Sequence, residues 1–401
     1  MYIPVKAIEV FIWGRRVGVL THDYDQYSVF EYDPEFRKTG LELAPFLMPL
    51  SKSIYHVEDF GLPRREFAGL PGMIADSLPD SFGNALVRKY MEGEQIDLRQ
   101  ITPLDRLAYV GSRGMGALTF VPSIREDGLK PSAIDMRKLV EEARLALNER
   151  LSEMSGTDAL REIIRVGTSA GGAQAKAVVG WNRETGDFLS GTGDLPDGYE
   201  HWLIKFTPKG MEDAGEKEYE TSRKAVSCGI EMSECRLFEL DGVKHFMTKR
   251  FDRDGNRRHH LQTYCALKHV PHSAPRELKT YEGIFHTIAE LNLGYEALEQ
   301  MFRRMAFNVK IEECDDHTKN FSFLMDEGGK WRLAPAYDLT GYHFSVEDKD
   351  FEAWSNPHAL SVNGKTGIIK DDDLLLVAER FGIGTAKRVL GEMEESLRFK
   401  V

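Results

Sequence analysis

Apolar and polar residues alternate with a period of two at the start of the chain. Ile8, Val10 and Ile12 share one side and Glu9, Phe11 and Trp13 the other, which predicts a strand turned by Gly14. Short apolar runs broken by Gly, Pro and aromatics continue to residue 122. One helical stretch, DSFGNALVRKYME, is capped from Ser77 or Asp80. Over 123–154 the period lengthens. After the turn-rich SIREDGLKP, residues Leu139, Val140, Ala143, Ala146 and Leu147 predict one amphipathic helix linking two bodies. From 155 to 255 strands return. AKAVVGWN and DFLSG flank the turn RETG as a hairpin, and HWLIKF and HFMTKRFDR add two strands. GEKEYETSRKAVSCGI is a helix stopped at Gly229. From 256 to 401 the pattern is mostly helical, interrupted by the hairpin FSFLM–DEGG–KWRL. A β-rich region, a linker, a strand-rich lobe and a helical lobe follow one another, an α+β arrangement.

Charge narrows the choice of partner. The 401 residues carry 52 Lys plus Arg against 64 Asp plus Glu, a net −12, whereas a dedicated nucleic-acid binder presents a basic surface. Cys228, Cys235, Cys265 and Cys314 form no C-x-x-C pair, so reduced thiols in a cytoplasmic protein are expected. The N-terminus lacks the signal-peptide pattern, and the most apolar stretch, LELAPFLMPL, is too short to span a bilayer. No membrane association is expected.

The sharpest chemistry lies at 315–338. Asp315 and Asn320 have the D-x-x-x-x-N spacing of a kinase catalytic loop, and a hairpin then leads to Asp338. Phosphoryl transfer needs one carboxylate to accept the proton of the attacking hydroxyl, and an Asn and a second Asp to hold magnesium between phosphates. Upstream, VGTSAGGAQAK (166–176) is a glycine-rich loop running into a strand, where Gly167, Gly171 and Gly172 let backbone N–H groups approach phosphate oxygens. Lys205, inside the apolar run Trp202–Phe206, needs a partner or solvent. A strand lysine after a glycine-rich loop is where kinases grip the α- and β-phosphates. Glu218 shares a helix face with Ser222 and Ala225 and is the expected partner, with Glu216 and Glu220 as competitors.

Other clusters are set aside. Adjacent Cys314, Asp315, Asp316 and His317 cannot wrap one tetrahedral zinc. DRDGN at 252–256 starts like a calcium loop, but Arg257 stands where that loop needs Gly. Gly111, Gly114 and Gly116 form a turn feeding a strand, and His259 and His260 a solvated turn.

With these residues in place, the sequence resembles the HipA family of bacterial serine/threonine kinases, the toxins of type II toxin–antitoxin pairs. The motifs TSAGGAQAK, KRFDR, DDHTKNFS and PAYDL carry the resemblance, and GSRGMGAL looks like the end of the family's small β-rich N-terminal subdomain. It implies a two-lobed protein-kinase-like fold. The expected division is that subdomain at 1–122, a linker with an amphipathic helix at 123–154, a kinase N-lobe at 155–255 and a helical C-lobe at 256–401. It further implies ATP and Mg2+ as cofactors and Asp315 as catalytic base, with Asn320 and Asp338 binding the metal. Lys205 would contact ATP phosphates, while Gly171, Gly172, Ala173, Gln174, Ala175 and Lys176 cover the nucleotide. Lys249, Arg250 and Phe251 would lie near the adenine. His317 and Lys319 would approach the γ-phosphate, Thr318 between them would belong to the nucleotide-binding set, and Tyr337 would line the site. Ser169 matches the serine that family members autophosphorylate, with Thr168 beside it as an alternative hydroxyl. A protein substrate, in the translation machinery for the family, and a helix-turn-helix, HipB-like antitoxin are the implied partners. DNA would be met only through that antitoxin. Cys314 before the catalytic Asp, and Leu339-Thr340 after Asp338, depart from ordinary protein kinases. Two further readings stand beside the kinase: a small-molecule phosphotransferase, and a non-catalytic co-repressor holding an antitoxin.

Overall fold

The computed structural model describes residues 2–22, 27–79, 81–123, 131–147, 174–340 and 357–398. Strands β1 (Ala7–Ile12) and β2 (Arg15–His22) are joined by Trp13 and Gly14, both at positive φ, as a tight two-residue hairpin requires. With β3 (Ser28–Tyr32), β4 (Ile54–His56) and β5 (Leu118–Val121) they form an antiparallel sheet of order β4-β3-β2-β1-β5. Ile8, Val10 and Ile12 are fully buried against Leu104, Leu107 and Ala108 of the helix Pro103–Val110. The period-two pattern thus sets which face is covered.

A second sheet has the order β7-β6-β8-β10-β9, from β6 (Lys176–Asn182), β7 (Phe188–Ser190), β8 (Tyr199–Lys205), β9 (Cys235–Leu240) and β10 (Val243–Lys249). Alternation gives this sheet two different faces. Ala177, Val179, Trp202 and Ile204 pack on the helices Ser81–Gly93 and Met136–Leu147 through Phe82, Leu86, Leu139 and Val140. The amphipathic helix is therefore part of this core. The other face presents Lys176 and Lys205, paired directly across β6 and β8, to the helix Ala214–Ser227.

The helical part is built around Tyr281–Glu290, Tyr295–Ile311, Asp371–Arg380 and Ala386–Arg398. Phe285, Phe302, Met305 and Val389 lie in its core. A two-strand ladder, β11 (Arg253–Asp254) with β12 (Arg257–Arg258), precedes a sheet of β13 (His260–Thr263), β14 (Ser322–Met325) and β15 (Trp331–Leu333). The last two strands are the expected hairpin.

Two expectations are corrected here. HFMTKRFDR is not one strand: β10 stops at Lys249 because Arg250 turns inward to a bidentate pair with Asp252. Nor is His259-His260 a solvated turn. His260 is fully buried in β13 beside Trp331, 3.2 Å from the carbonyl of Leu43, and burial pushes its imidazole down to about 4.

The N-terminal sheet region is tied to the rest by polar groups. Asp252, with no exposure, accepts from the backbone N–H of Gly116, and Arg253 and Arg258 donate to the carbonyls of Gly114 and Gly116. The glycine cluster is thus an element gripped by arginines. The carboxylate of Asp76 accepts from Thr263 N (2.7 Å) and Oγ1 (3.1 Å) at the head of the helix Tyr264–Lys268.

Candidate active site

Lys205 ends β8 with 7% exposure, and its ammonium meets two carboxylates. Glu218, one turn into the helix Ala214–Ser227, lies 2.5 Å away, and Asp338 closes the group from the far side. Burial alone would push this lysine down, but the two carboxylates outweigh burial and hold it above its ordinary value. Asp338 is also pushed up by burial, yet Lys205, assisted by Lys176, keeps it below the usual carboxylate range. Glu218 moves the other way. Burial, with the charge of Asp338 adding to it, pushes it up to about 7 against the pull of Lys205. Asp338 sits at φ 57, the left-handed region, a strain that the surrounding contacts hold in place.

Asp315, Asn320, Tyr337 and Asp338 line one cleft. The side chain of Asp315 is half exposed, and burial of the remainder raises its carboxyl, with His317 opposing and Asp338 adding. Nε2 of His317 lies 3.9 Å from its carboxylate. The amide of Asn320 donates to the Asp315 carbonyl at 2.7 Å, which closes the D-x-x-x-x-N loop on itself. The hydroxyl of Tyr337 bonds Ser322 (2.6 Å) and the carbonyl of Lys319 (2.5 Å), so the loop is pinned from β14 as well.

Not every candidate side chain points into this cleft. Thr318 is buried and donates to the carbonyl of Val270. Lys249 pairs at 2.5 Å with Glu200 in a half-exposed network with Arg183. Arg250 is committed to Asp252. Phe251 packs on Tyr337, ring centroids 5.4 Å apart, and Lys319 is exposed. Gln174 donates to the carbonyl of Phe206, Ala175 is buried, and Lys176 lies beside Lys205. Thr168, Ser169, Gly171, Gly172 and Ala173 lie outside the described residues.

Two carboxylates escaped sequence reasoning. Asp316, 1% exposed, accepts from Tyr281 Oη (2.6 Å), from the backbone N–H of Ala359 (2.7 Å) and from His358 (2.9 Å). It anchors the loop that carries Asp315. Glu313, 3% exposed, accepts from the N–H groups of Asp315 (3.3 Å) and Thr340 (2.9 Å), joining the loop to the segment after Asp338. The acidic run Glu312–Asp316 was the available signal, but which member is buried is a matter of long-range packing.

A strand lysine paired with a glutamate on the helix that covers its sheet, beside an Asp/Asn loop and a second Asp, defines a kinase-like enzyme. A HipA N-terminal domain matches residues 8–121 and a HipA-like C-terminal domain residues 168–399, so the chain belongs to the HipA family. It is 23% identical over 412 residues to "Putative kinase Y4dM" of Sinorhizobium fredii, covering 96% of this chain and 90% of that one. A "Putative kinase" of Haemophilus influenzae is 27% identical over 152 residues, covering 35% of this chain and 44% of that protein. Among solved structures, the HipA of Shewanella oneidensis, from a complex with HipB and operator DNA, superimposes with a TM-score of 0.63. It is 18% identical and covers 96% of this chain and 88% of that one. That likeness shows the shared fold.

Proposed function

We propose that the protein is a Mg-ATP-dependent serine/threonine protein kinase. The observation that carries this is the meeting of Lys205, Glu218 and Asp338 at the cleft lined by Asp315 and Asn320. Asp315 accepts the proton of the attacking hydroxyl as the new oxygen–phosphorus bond forms and the bond to the leaving ADP oxygen breaks. Its raised pKa and half-exposed position suit a base that must meet a protein side chain. Lys205, freed from Asp338 when nucleotide enters, offers its ammonium to the phosphates, while Glu218 keeps it oriented.

Asn320 and Asp338 offer oxygen donors to one cleft, the hard-ligand chemistry magnesium takes. Among the described residues no cluster of three or more His, Cys, Asp or Glu could hold a metal alone, so phosphate oxygens and water would complete such a shell. Held by Asn320 and Asp338, magnesium would supply positive charge to offset that of the phosphates.

A HipB-like antitoxin as partner, with DNA contacted through it, is supported by the company the Shewanella protein keeps in its complex. The net −12 fits that indirect contact. Self-modification at Ser169 or Thr168 and a substrate in the translation machinery rest on the family resemblance. The test is incubation of the pure protein with labelled ATP, with and without magnesium, followed by mapping of the phosphorylated residues. Transfer in wild type and none in Asp315→Asn, with nucleotide affinity kept, is the expected result. Undiminished transfer by Asp315→Asn would overturn the assignment, and nucleotide binding without transfer by wild type would favour the co-repressor.

A further inference from the structure

The N-terminal region grips the segment that backs the catalytic loop. Within that segment, the carbonyl of Val270 accepts from Thr318 Oγ1 (2.9 Å), and the N–H of Cys265 donates to the Thr318 carbonyl (3.1 Å). From the other side, the N–H of Gly72 donates to Nε2 of His269 at 3.1 Å. The His269 ring meets Phe60 and Phe67 edge-on, with centroids 4.8 and 5.8 Å apart. Burial pushes this imidazole down to about 4, so at neutral pH it is an uncharged acceptor.

Glu66, on the short helix Arg64–Phe67, carries this grip to the edge of the active site. Its two carboxylate oxygens accept from the backbone N–H groups of His272 (2.6 Å) and Ser273 (3.1 Å). Burial pushes Glu66 up, but hydrogen bonds from Ser273 and His272 outweigh it and hold the carboxyl below its ordinary value. The clamp is therefore charged at neutral pH. Lys279 donates to the carbonyl of His272 at 2.8 Å, so the backbone of that residue is fixed at its N–H and at its C=O. The exposed His272 then lies edge-on to His317, ring centroids 6.0 Å apart and planes at 83°, an arrangement that aromatic rings favour. Its influence reaches the catalytic carboxylate. Burial raises the Asp315 carboxyl and His317 lowers it, while Asp338 raises it and His272 lowers it. A carboxylate from a distant part of the chain thus decides where an exposed ring stands beside the catalytic loop.

We infer that Glu66 is a positioning residue of the catalytic centre. By clamping the backbone of His272 and Ser273, it sets the His272 imidazole beside His317, on the exposed side from which a polypeptide hydroxyl reaches Asp315. The side chains of Asp315 and His317 are both open to solvent there, in part. An imidazole offers one donor and one acceptor when neutral and two donors when charged, so it bonds an acceptor chain in either state. Fixing it in advance spares the entropy of ordering it when that chain arrives. His272 acts on the acceptor, and Glu66 acts through His272. The inference rests on the kinase reading above and gives the N-terminal region a part in turnover as well as in folding.

The test uses the full-length, phosphatase-treated protein with magnesium and labelled ATP, and reads the rate at which label reaches the protein's own hydroxyls. Glu66→Ala, Glu66→Gln and His272→Ala are the variants, with Glu277→Gln, an exposed position on the same segment, as control. Glu66→Ala and His272→Ala should each slow transfer about tenfold, the scale of one hydrogen bond to a charged group. Affinity for a non-hydrolysable ATP analogue, measured by calorimetry, should be unchanged in both. Glu66→Gln keeps one acceptor oxygen and should fall between Glu66→Ala and wild type, and it carries the comparison should Glu66→Ala fail to fold. In NMR spectra of histidine-labelled protein, the His317 signal, identified with His317→Gln, should move in Glu66→Ala and His272→Ala and stay in Glu277→Gln. An unmoved His317 signal in Glu66→Ala would overturn the inference. Nucleotide affinity falling in step with the rate would also overturn it, by marking Glu66 as a structural anchor. No transfer by wild type would sink the kinase reading and the catalytic part of the inference together. Equal transfer by wild type and Glu66→Ala would sink the inference alone.

Discussion

The hydroxyl of Tyr281 donates to the buried carboxylate of Asp316 at 2.6 Å, joining the first turn of one helix to the loop that carries Asp315. Asn308 donates to the same hydroxyl at 3.0 Å, and the Asp316 carboxylate raises the tyrosine further above its ordinary value than burial does alone. Asp316 therefore serves the site by holding its neighbour still. Tyr281→Phe removes one donor to a buried charge and should cost about 1.5–3 kcal/mol in chemical denaturation. Turnover should fall more than nucleotide affinity, because the loop and not the phosphate grip is loosened. Equal stability of the variant and wild type would show that Asp316 is held by His358 and Ala359 alone.

Glu218→Gln tests the lysine. The amide keeps the shape but leaves Lys205 with Asp338 as its one ionised partner, so the ammonium is drawn toward the position Asp338 must vacate. Steady-state kinetics should show kcat/KM reduced by about 10–100-fold, the scale of one charge-assisted hydrogen bond. A variant as active as wild type would mean that Glu218 serves burial only.

Gly72 marks where the N-terminal region touches the helix Tyr264–Lys268. A Cβ there would lie 2.3 Å from the carbonyl oxygen of Ala266 and 2.6 Å from the His269 ring. Backbone cannot give way as a side-chain tip does, so Gly72→Ala should destabilise by about 1–3 kcal/mol. Gly391→Ala, on the helix Ala386–Arg398 with nothing within 4 Å, should instead stabilise by about 0.5–1 kcal/mol. Thermal melts of the two variants moving in the same direction would contradict this contrast.

Acid should loosen the fold through its buried histidines. His260 and His201 are held down to about 4 by burial, His201 also by Arg250 and Arg253. A depressed imidazole binds fewer protons folded than unfolded. Its contribution is complete above the ordinary value of 6.5 and is lost as pH falls toward 4. Each should give a slope of up to about 1.4 kcal/mol per pH unit in that window. Urea denaturation in phosphate-free buffer, compared between wild type and His260→Gln, reads this directly. An unchanged slope in the variant would remove His260 from the account.

Local periodicity and spacing determined much of this protein. The period-two run of Ile8, Val10 and Ile12, the helix Ala214–Ser227 and the hairpin β14–β15 were legible because each depends on neighbours a few residues apart. The Lys205–Glu218 pair was legible for the same reason, since a strand lysine and one helix face left few alternatives. Tertiary structure alone decided what burial and distant partners control. His260 and Arg258 look like a polar turn in the sequence, yet one is enclosed beside Leu43 and the other grips Ser112, Gly114 and Gly116. Asp315 and Asp316 are chemically identical neighbours. One is half exposed at the cleft and the other is sealed under Tyr281, His358 and Ala359. Water reaches the first carboxylate and not the second, and desolvation by residues far along the chain is a quantity that no spacing along the sequence encodes.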